Sequence, residues 1–525
     1  MKSSLLVIMS ACLAAEPVSA GRPTAEQMSA ARPNILLMVA DDLGFADVGF
    51  MVGSNGSIVQ SPALNQLALQ GVRLSNHHVQ PVCSPTRAAL LTGRYVLRYG
   101  LQNTVIWPQD AFAVPANETF LSQNLKSAGY RTAILGKWHL GLYKAFALPM
   151  ARGFDEQYGY YLGATDYISH RRTSGKSTGI DWHRNQSLAA TGDDGKYSAG
   201  LIATAAIDFI TRTGDRPWFL YLAWQSVHAP LEAPEGCIAR YPSLSGTQRI
   251  RAAMASAMDD GVANITAALR RTGQLDQTLI LFTADNGAPY ENAAWEDDES
   301  EVAYAAAARA ARPPAGQGWP PHGAGGGSNA PLSGWKHWLF EGGVRSAAFI
   351  WYAPLNERLG GKVHEGLFHV VDWLPTLVTL AGGSTARNLP LDGFDLWPAL
   401  QQGGSASPRA ELPVNIGACG PDANGTQTII SGPQAAIILG DFKLLVTCFW
   451  RTSRSLADAQ LYNISADPSE ENNLATSMPS IVETLGKRLA HWEALSVPPY
   501  AQDGIDPACG EGAPQGTPAA WNPWC

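Results

Sequence analysis

The sequence predicts an α/β fold: a large domain with a mostly parallel central sheet flanked by helices, followed by a small C-terminal α+β domain. Three observations predict it. Short continuous apolar runs recur along the first two thirds of the chain, as strands buried on both faces require. Stretches with helical spacing lie between them, the alternation that builds parallel sheets. Most of the apolar runs stop at a polar or charged cluster, and in such sheets ligands sit beyond the C-terminal strand ends.

Taken in order, Asn34 to Ala40 reads as a buried strand ending at Asp41-Asp42. Leu64 to Gly71 has helical spacing and stops at glycine. Ala88 to Gly93, after Pro85, reads as the start of a helix. Phe120 to Ala128 is an amphipathic helix closed by Gly129, and Tyr130 to Leu135 a strand leading into Gly136-Lys137-Trp138-His139. Trp218 to Ala223 is a strand running into His228. Ala252 to Leu269 is a helix. Thr278 to Thr283 is a strand ending at Asp285-Asn286, and Ala347 to Trp351 one more. Residues 292–330, acidic, then alanine-rich, then Pro- and Gly-rich, read as a loop insertion with a short helix from Val302 to Ala311. The large domain is expected over 33–404 and the small one over 405–525. The latter holds two strands around Gly440-Asp441, a strand at Gln460 to Ile464, a helix from Pro479 to Leu495 and a Pro- and Gly-rich tail.

Lys2, the apolar run Leu5 to Ala15 and the small residues Val18-Ser19-Ala20 read as a signal peptide over 1–20. No later stretch has the length of a membrane span. Asn55, Asn117, Asn185, Asn264, Asn424 and Asn463 begin glycosylation sequons. These features predict the secretory pathway, with a lysosomal or extracellular destination. The net charge of −8 argues against nucleic-acid binding and means that an anionic substrate needs a local cationic cluster. Of the seven cysteines, Cys419 with Cys448 and Cys509 with Cys525 are the expected disulfides. No Cys-x-x-Cys spacing offers a metal site.

Asp41-Asp42 alone would be read as helix caps or surface charge. Asp285-Asn286, at another strand end, adds a carboxylate and an amide oxygen, which together make an oxygen set suited to Ca2+ or Mg2+ rather than zinc. Arg87, Lys137, His139, His228 and Lys336 each suit surface or core positions singly. As a group facing a cation they suit a tetrahedral oxyanion, with histidine able to protonate a leaving oxygen. This is the composition of an anionic ester hydrolase, sulfate or phosphate.

Cys83-Ser84-Pro85-Thr86-Arg87, followed by Leu91-Thr92-Gly93-Arg94, resembles the signature of the type I sulfatases. The blocks Ala40 to Gly44, Gly136 to Gly141, His228 to Leu231, Thr283 to Gly287, and Lys336 before Glu341-Gly342-Gly343-Val344-Arg345 resemble that family in its order. The likeness runs from about Asn34 to about Asn473. Gln80 to Cys83, Ile106-Trp107-Pro108, Arg152 to Asp155 and Asp372 to Leu377 are most similar to its N-acetylgalactosamine-4-sulfatase (arylsulfatase B) branch. Cysteines which that branch carries after Trp-Pro are absent from Gln109 to Val114.

The resemblance implies an alkaline-phosphatase-like fold and hydrolysis of a sulfated carbohydrate. It implies that a formylglycine-generating enzyme oxidises Cys83, whose aldehyde hydrates to a geminal diol. One Ca2+ per chain is implied on Asp41, Asp42, Asp285, Asn286 and residue 83. Lys137 and Arg87 would position the sulfate and the diol. His228 and Lys336 would favour departure of the leaving oxygen, and His139 would orient the diol and take its second proton. A phosphomonoester or phosphonate hydrolase of the same superfamily, or an inactive glycan-binding homologue, are the competing readings; the cysteine nucleophile and the complete ligand set speak against them.

Overall fold

The computed structural model describes residues 32–53, 56–290, 320, 322–417, 430–448, 455–500, 509 and 512–525. The signal peptide, Asn55, Asn424, Cys419 and the Val302 to Ala311 helix lie outside them. A ten-stranded mixed sheet forms the centre. Its middle is parallel, built from β1 (Asn34–Ala40), β2 (Arg131–Lys137), β3 (Glu156–Tyr160), β4 (Trp218–Ala223) and β5 (Thr278–Ala284). β1 lies between β4 and β5; β2 follows β4, and β3 follows β2.

The expected, mostly parallel sheet is therefore parallel at its core. Its flanks turn antiparallel, at β6 (Ala348–Trp351) beside β5 and at the short strand His183–Arg184 beside β3. Antiparallel neighbours at a flank need no crossover helix between them, which permits the reversal there.

β1 shows why its sequence is uninterrupted. Ile35, Leu37 and Val39 enter one hydrophobic core and Leu36, Met38 and Ala40 the other. Helices α1 (Cys83–Thr92) and α4 (Trp373–Leu380) supply the first core, and α2 (Ser198–Arg212) and α3 (Gly246–Arg271) the second. The helix predicted from Ala88 begins five residues earlier. Proline is tolerated in a first turn because the N–H it lacks would have no intrahelical partner; Pro85 is the third residue of α1, and Cys83 the first.

The small sheet is antiparallel, with β7 (Glu411–Ile416), β8 (Ala435–Leu439), β9 (Phe442–Val446) and β10 (Gln460–Asn463) in that order, and α5 (Pro479–Ala494) packs on it. Its apolar side chains Leu412, Ile437 and Leu444 belong to the same core as β1. A buried ion cluster joins the two sheets. Lys443 of β9 lies 2.7 Å from Glu341 and 3.0 Å from Glu470, and His78 lies 3.1 Å from Glu341. Cys509 and Cys525 form the predicted disulfide. Cys448 is also disulfide-bonded, while Cys83 and Cys237 are free and buried. Asn117, Asn185 and Asn264 are exposed. No helix among the described residues is long and apolar enough to cross a membrane.

Three carboxyls give stability a specific pH dependence. Burial raises Glu470 to about 7, Glu232 to about 7 and Asp259 to about 6. A carboxyl whose pKa is higher in the folded than in the unfolded chain stabilises the fold fully below its unfolded value and loses that contribution as pH rises through the folded one. The contribution of these three is expected to be lost between pH 5 and 7.5, while buried histidines such as His77 and His369, held below the usual range, act in the opposite sense. Glu470→Gln with Asp259→Asn should therefore gain stability relative to the wild type as pH rises across that interval. Urea denaturation of both proteins at several pH values checks this; a stability difference between them that does not change with pH refutes it.

Candidate active site

The parallel core delivers side chains to one sheet edge. β1 ends at Ala40 and hands over to Asp41 and Asp42, β2 ends on Lys137, β4 precedes His228, and β5 precedes Asp285 and Asn286. Gly136 is obligatory at the end of β2: its φ is +104°, and an added Cβ would lie 1.8 Å from the Ala223 carbonyl oxygen. Asp42 and His139 take left-handed backbone conformations, with φ of 58° and 59°. Aspartate and histidine adopt these more readily than β-branched residues do.

All the predicted site residues are buried and come together. The Cys83 thiol faces Asp41 at 3.8 Å. Lys137 Nζ donates to Asp41 at 2.6 Å, and Lys336 Nζ lies 3.1 Å from Asp42 Oδ1. Arg87 donates twice to Asp285 Oδ2, at 3.0 and 2.7 Å. Asp42 N donates to Asp285 Oδ1 at 3.1 Å, and Asn286 Nδ2 to Asp42 Oδ1 at 2.8 Å. His228 Nε2 lies 3.8 Å from Asp42. Ligand atoms of Asp41, Asp42, Cys83 and His228 lie within 4.8 Å of one another. The expectation placed His228 only beside the leaving group; here it also borders the carboxylates.

The two histidines have defined tautomers, because each faces a carbonyl that can only accept. His139 Nε2–H donates to Ile106 O at 3.1 Å, which leaves Nδ1 as a buried base without a partner. His228 Nδ1–H donates to Ala229 O at 2.7 Å, turning Nε2 toward Asp42. Burial, then Lys137 and Arg87, hold His139 well below the usual histidine range. Burial does the same to His228 despite the opposing pull of Asp42, with Lys137 and Lys336 adding to it. Burial pushes the Cys83 thiol up. Burial would also raise Asp42, but Lys336, His228, Asn286 and Lys137 bring it below the ordinary carboxylate range.

The donor chemistry fits a hard divalent cation. Burial, then Asp41, push Asp285 up to about 6 despite Arg87 and Lys137. Asn286 Oδ1 is buried and accepts from no group, although its amide nitrogen is satisfied. An acceptor left bare among three carboxylates is what an oxygen-ligated ion would use.

Sequence reasoning missed several supporting groups. Thr86 Oγ1 donates to Asp285 O at 2.5 Å, and Arg87 Nη1 reaches Tyr221 OH at 3.5 Å. Arg251, buried on α3, donates to Asp42 O. An arginine leading directly into the apolar run Ala252 to Ala255 was the available signal. Ser328, at the end of the 292–330 insertion, donates from its N–H to Asp47 Oδ1 at 2.8 Å and accepts from Ala46 N at 3.0 Å.

The family model described as "Sulfatase" matches residues 33–384. Arylsulfatase J of Mus musculus is 34% identical over 535 positions, covering 96% of this chain and 82% of that protein. N-acetylgalactosamine-6-sulfatase of Homo sapiens is 31% identical over 388 positions, covering 71% of this chain and 66% of that one. Among solved structures, Ps i-CgsB in complex with k-i-k-neocarrahexaose aligns with a TM-score of 0.72 at 26% identity, covering 91% of this chain and 96% of the other.

Proposed function

The chain belongs to the sulfatase family and is a sulfuric ester hydrolase, and from that premise we propose that it desulfates a sulfated carbohydrate of the N-acetylgalactosamine 4-sulfate kind, using Cys83 as the source of its nucleophile. The observation that carries the reading is the seat of Cys83, held at the first residue of α1 among Asp41, Lys137 and Lys336. A sulfated hexosamine agrees with a relative named N-acetylgalactosamine-6-sulfatase, and a sulfated carbohydrate more broadly with a structural neighbour solved in complex with k-i-k-neocarrahexaose.

In this reading Cys83 is oxidised to formylglycine, which supplies the attacking oxygen. Asp41, Asp42, Asp285 and Asn286, with residue 83, would hold one Ca2+, which supplies positive charge against the sulfate oxygens. Lys137 and Arg87 orient the sulfate and the nucleophile, both being already anchored on carboxylates of the cluster. His139, with its proton fixed on Nε2, offers Nδ1 as the base at residue 83. Lys336 and His228 flank Asp42 from the other side and stand by the leaving oxygen, where a proton favours departure. The buried setting keeps bulk water from competing and strengthens each of these charge contacts. We place the catalytic domain at 33–404 and the enzyme in the secretory pathway, lysosomal or extracellular, after signal cleavage.

Purified protein is expected to release sulfate from 4-sulfated N-acetylgalactosamine faster than from its 6-sulfated isomer, and to hold one equivalent of calcium by elemental analysis. Removal of the ion by a chelator should stop turnover, with Ca2+ restoring it. Stoichiometric zinc, or a preference for the 6-sulfate, would overturn the ion or the substrate assignment respectively.

A further inference from the structure

We infer that the segment Val497 to Tyr500 is part of the catalytic apparatus, with Tyr500 a positioning residue that sets His139 through the loop Thr104 to Ala113. The inference rests on the reading above that His139 acts on residue 83.

Val497 to Tyr500 lie along the large domain, beyond α5. Val497 N donates to Leu97 O and Tyr500 N to Gly100 O, both at 2.9 Å, and Gln102 Nε2 donates to Val497 O at 2.9 Å. The Tyr500 ring then stacks on Phe112, with centroids 4.0 Å apart and planes 6° from parallel. Its hydroxyl lies 2.5 Å from Val105 O and 2.8 Å from Asp110 Oδ2. That same Asp110 oxygen accepts from Trp107 N at 2.7 Å.

Tyr500 thus meets Val105 on one side of Ile106 directly and Trp107 on the other through Asp110. Ile106 itself faces the site by both of its backbone groups. Its N–H donates to Ser84 Oγ at 3.2 Å, beside Cys83, and its carbonyl receives the His139 Nε2 proton at 3.1 Å. The chain of contacts runs Tyr500, Asp110 and Val105, Ile106, His139. The last link decides which ring nitrogen of His139 is the base.

The end of the chain secures the same face. Trp521, fully buried, donates from Nε1 to Arg172 O at 2.9 Å, and Cys525 N donates to Tyr143 O at 2.9 Å. The Cys509–Cys525 disulfide closes this end on itself. Gln109, inside the loop, donates to Ser174 Oγ at 2.5 Å, and Ser174 belongs to the hairpin strand Arg171–Ser174 that Trp521 also holds.

The test uses the full-length enzyme. Tyr500→Phe keeps the stack on Phe112 and removes only the hydroxyl; Tyr500→Ala removes both. Loss of His139 placement is expected to lower kcat by about tenfold in both variants at unchanged KM, since small displacements of a positioned group carry costs of this order or larger. The melting temperature should fall only in Tyr500→Ala. Asp110→Ala should match Tyr500→Phe, and the double variant should lose no more than either. Asp110→Asn, which keeps an acceptor for both Tyr500 and Trp107, should recover most of the rate.

Hydrogen–deuterium exchange over residues 104–113 should quicken in Tyr500→Phe and stay unchanged over α3. Unchanged exchange in that loop overturns the inference whether or not the protein turns over sulfate esters. So does a Tyr500→Phe enzyme whose kcat stays within twofold of wild type, or whose loss lies wholly in KM. Failure of the underlying reading looks different: full activity in Cys83→Ala.

Discussion

Replacing Cys83 by alanine is expected to lower sulfate release by at least about four orders of magnitude while leaving the fold intact. The side chain fills a buried position at the start of α1 and makes one polar contact, to Asp41 at 3.8 Å. Deleting one sulfur atom there costs little packing, and α1 keeps its apolar anchors Ala88 to Leu91. Circular dichroism and the melting temperature should therefore match the wild type. The tryptic peptide that contains residue 83 supplies a second readout. In protein made by a host with the maturing enzyme, its mass should show the thiol converted to an aldehyde. Cys83→Ser sharpens the point, because a serine sulfate ester lacks the second hydroxyl that would expel sulfate. That variant should stall after one turnover with a sulfuryl group on the peptide. A Cys83→Ala protein that turns over at the wild-type rate, or an unmodified thiol in active enzyme, would remove residue 83 from the reaction.

The second large effect concerns stability. Lys443→Met is expected to destabilise the protein by about 3–5 kcal/mol, the usual cost of breaking a buried ion cluster by removing one member. Lys443 is fully buried and lies between Glu341 and Glu470, both also buried. Without it, two carboxyls face each other, with only His78 and Arg345 left at Glu341. Removing the surplus charge should reverse much of the loss, so Lys443→Met with Glu470→Gln should lie well above the single variant. Urea midpoints measure both. A single-variant loss under about 1 kcal/mol would mean that the cluster is replaceable by packing, as some buried ion groups are. Because Glu341 follows Lys336 by five residues, the single variant should also turn over more slowly.

Much of this was legible in the residues. β1 and β4 begin and end where the apolar runs do, and β5 differs by one residue, because a strand buried on both faces must be apolar throughout. The site followed from that, since polar pairs such as Asp285-Asn286 stand where apolar runs stop. What could not be read has a physical reason in each case. β3 carries Glu156, Gln157 and Gly159 and forms only because β2 offers it an edge. The tail looked featureless because it is rich in Pro and Gly; its described residues are held by Tyr500, Trp521 and a disulfide. The start of α1 was read too late because Pro85 was taken as a boundary rather than as a first-turn residue.

The burial of Cys83 has a consequence for the order of events during synthesis. In the finished fold the thiol is 1% exposed, so no modifying enzyme could close its own pocket around it. The chemistry proposed here requires that oxidation precede closure. The wall that shuts Cys83 in includes Asp285, at the end of β5, whose strand pairs with β1 although it is made roughly 200 residues after Cys83. At about 5–20 residues per second, ribosomal synthesis leaves a window of about 10–40 s in which that side chain is reachable on a growing chain. Parallel pairing of such distant segments is intrinsically slow, which lengthens the window. The topology that assembles the site last thus also acts as the timer for its maturation.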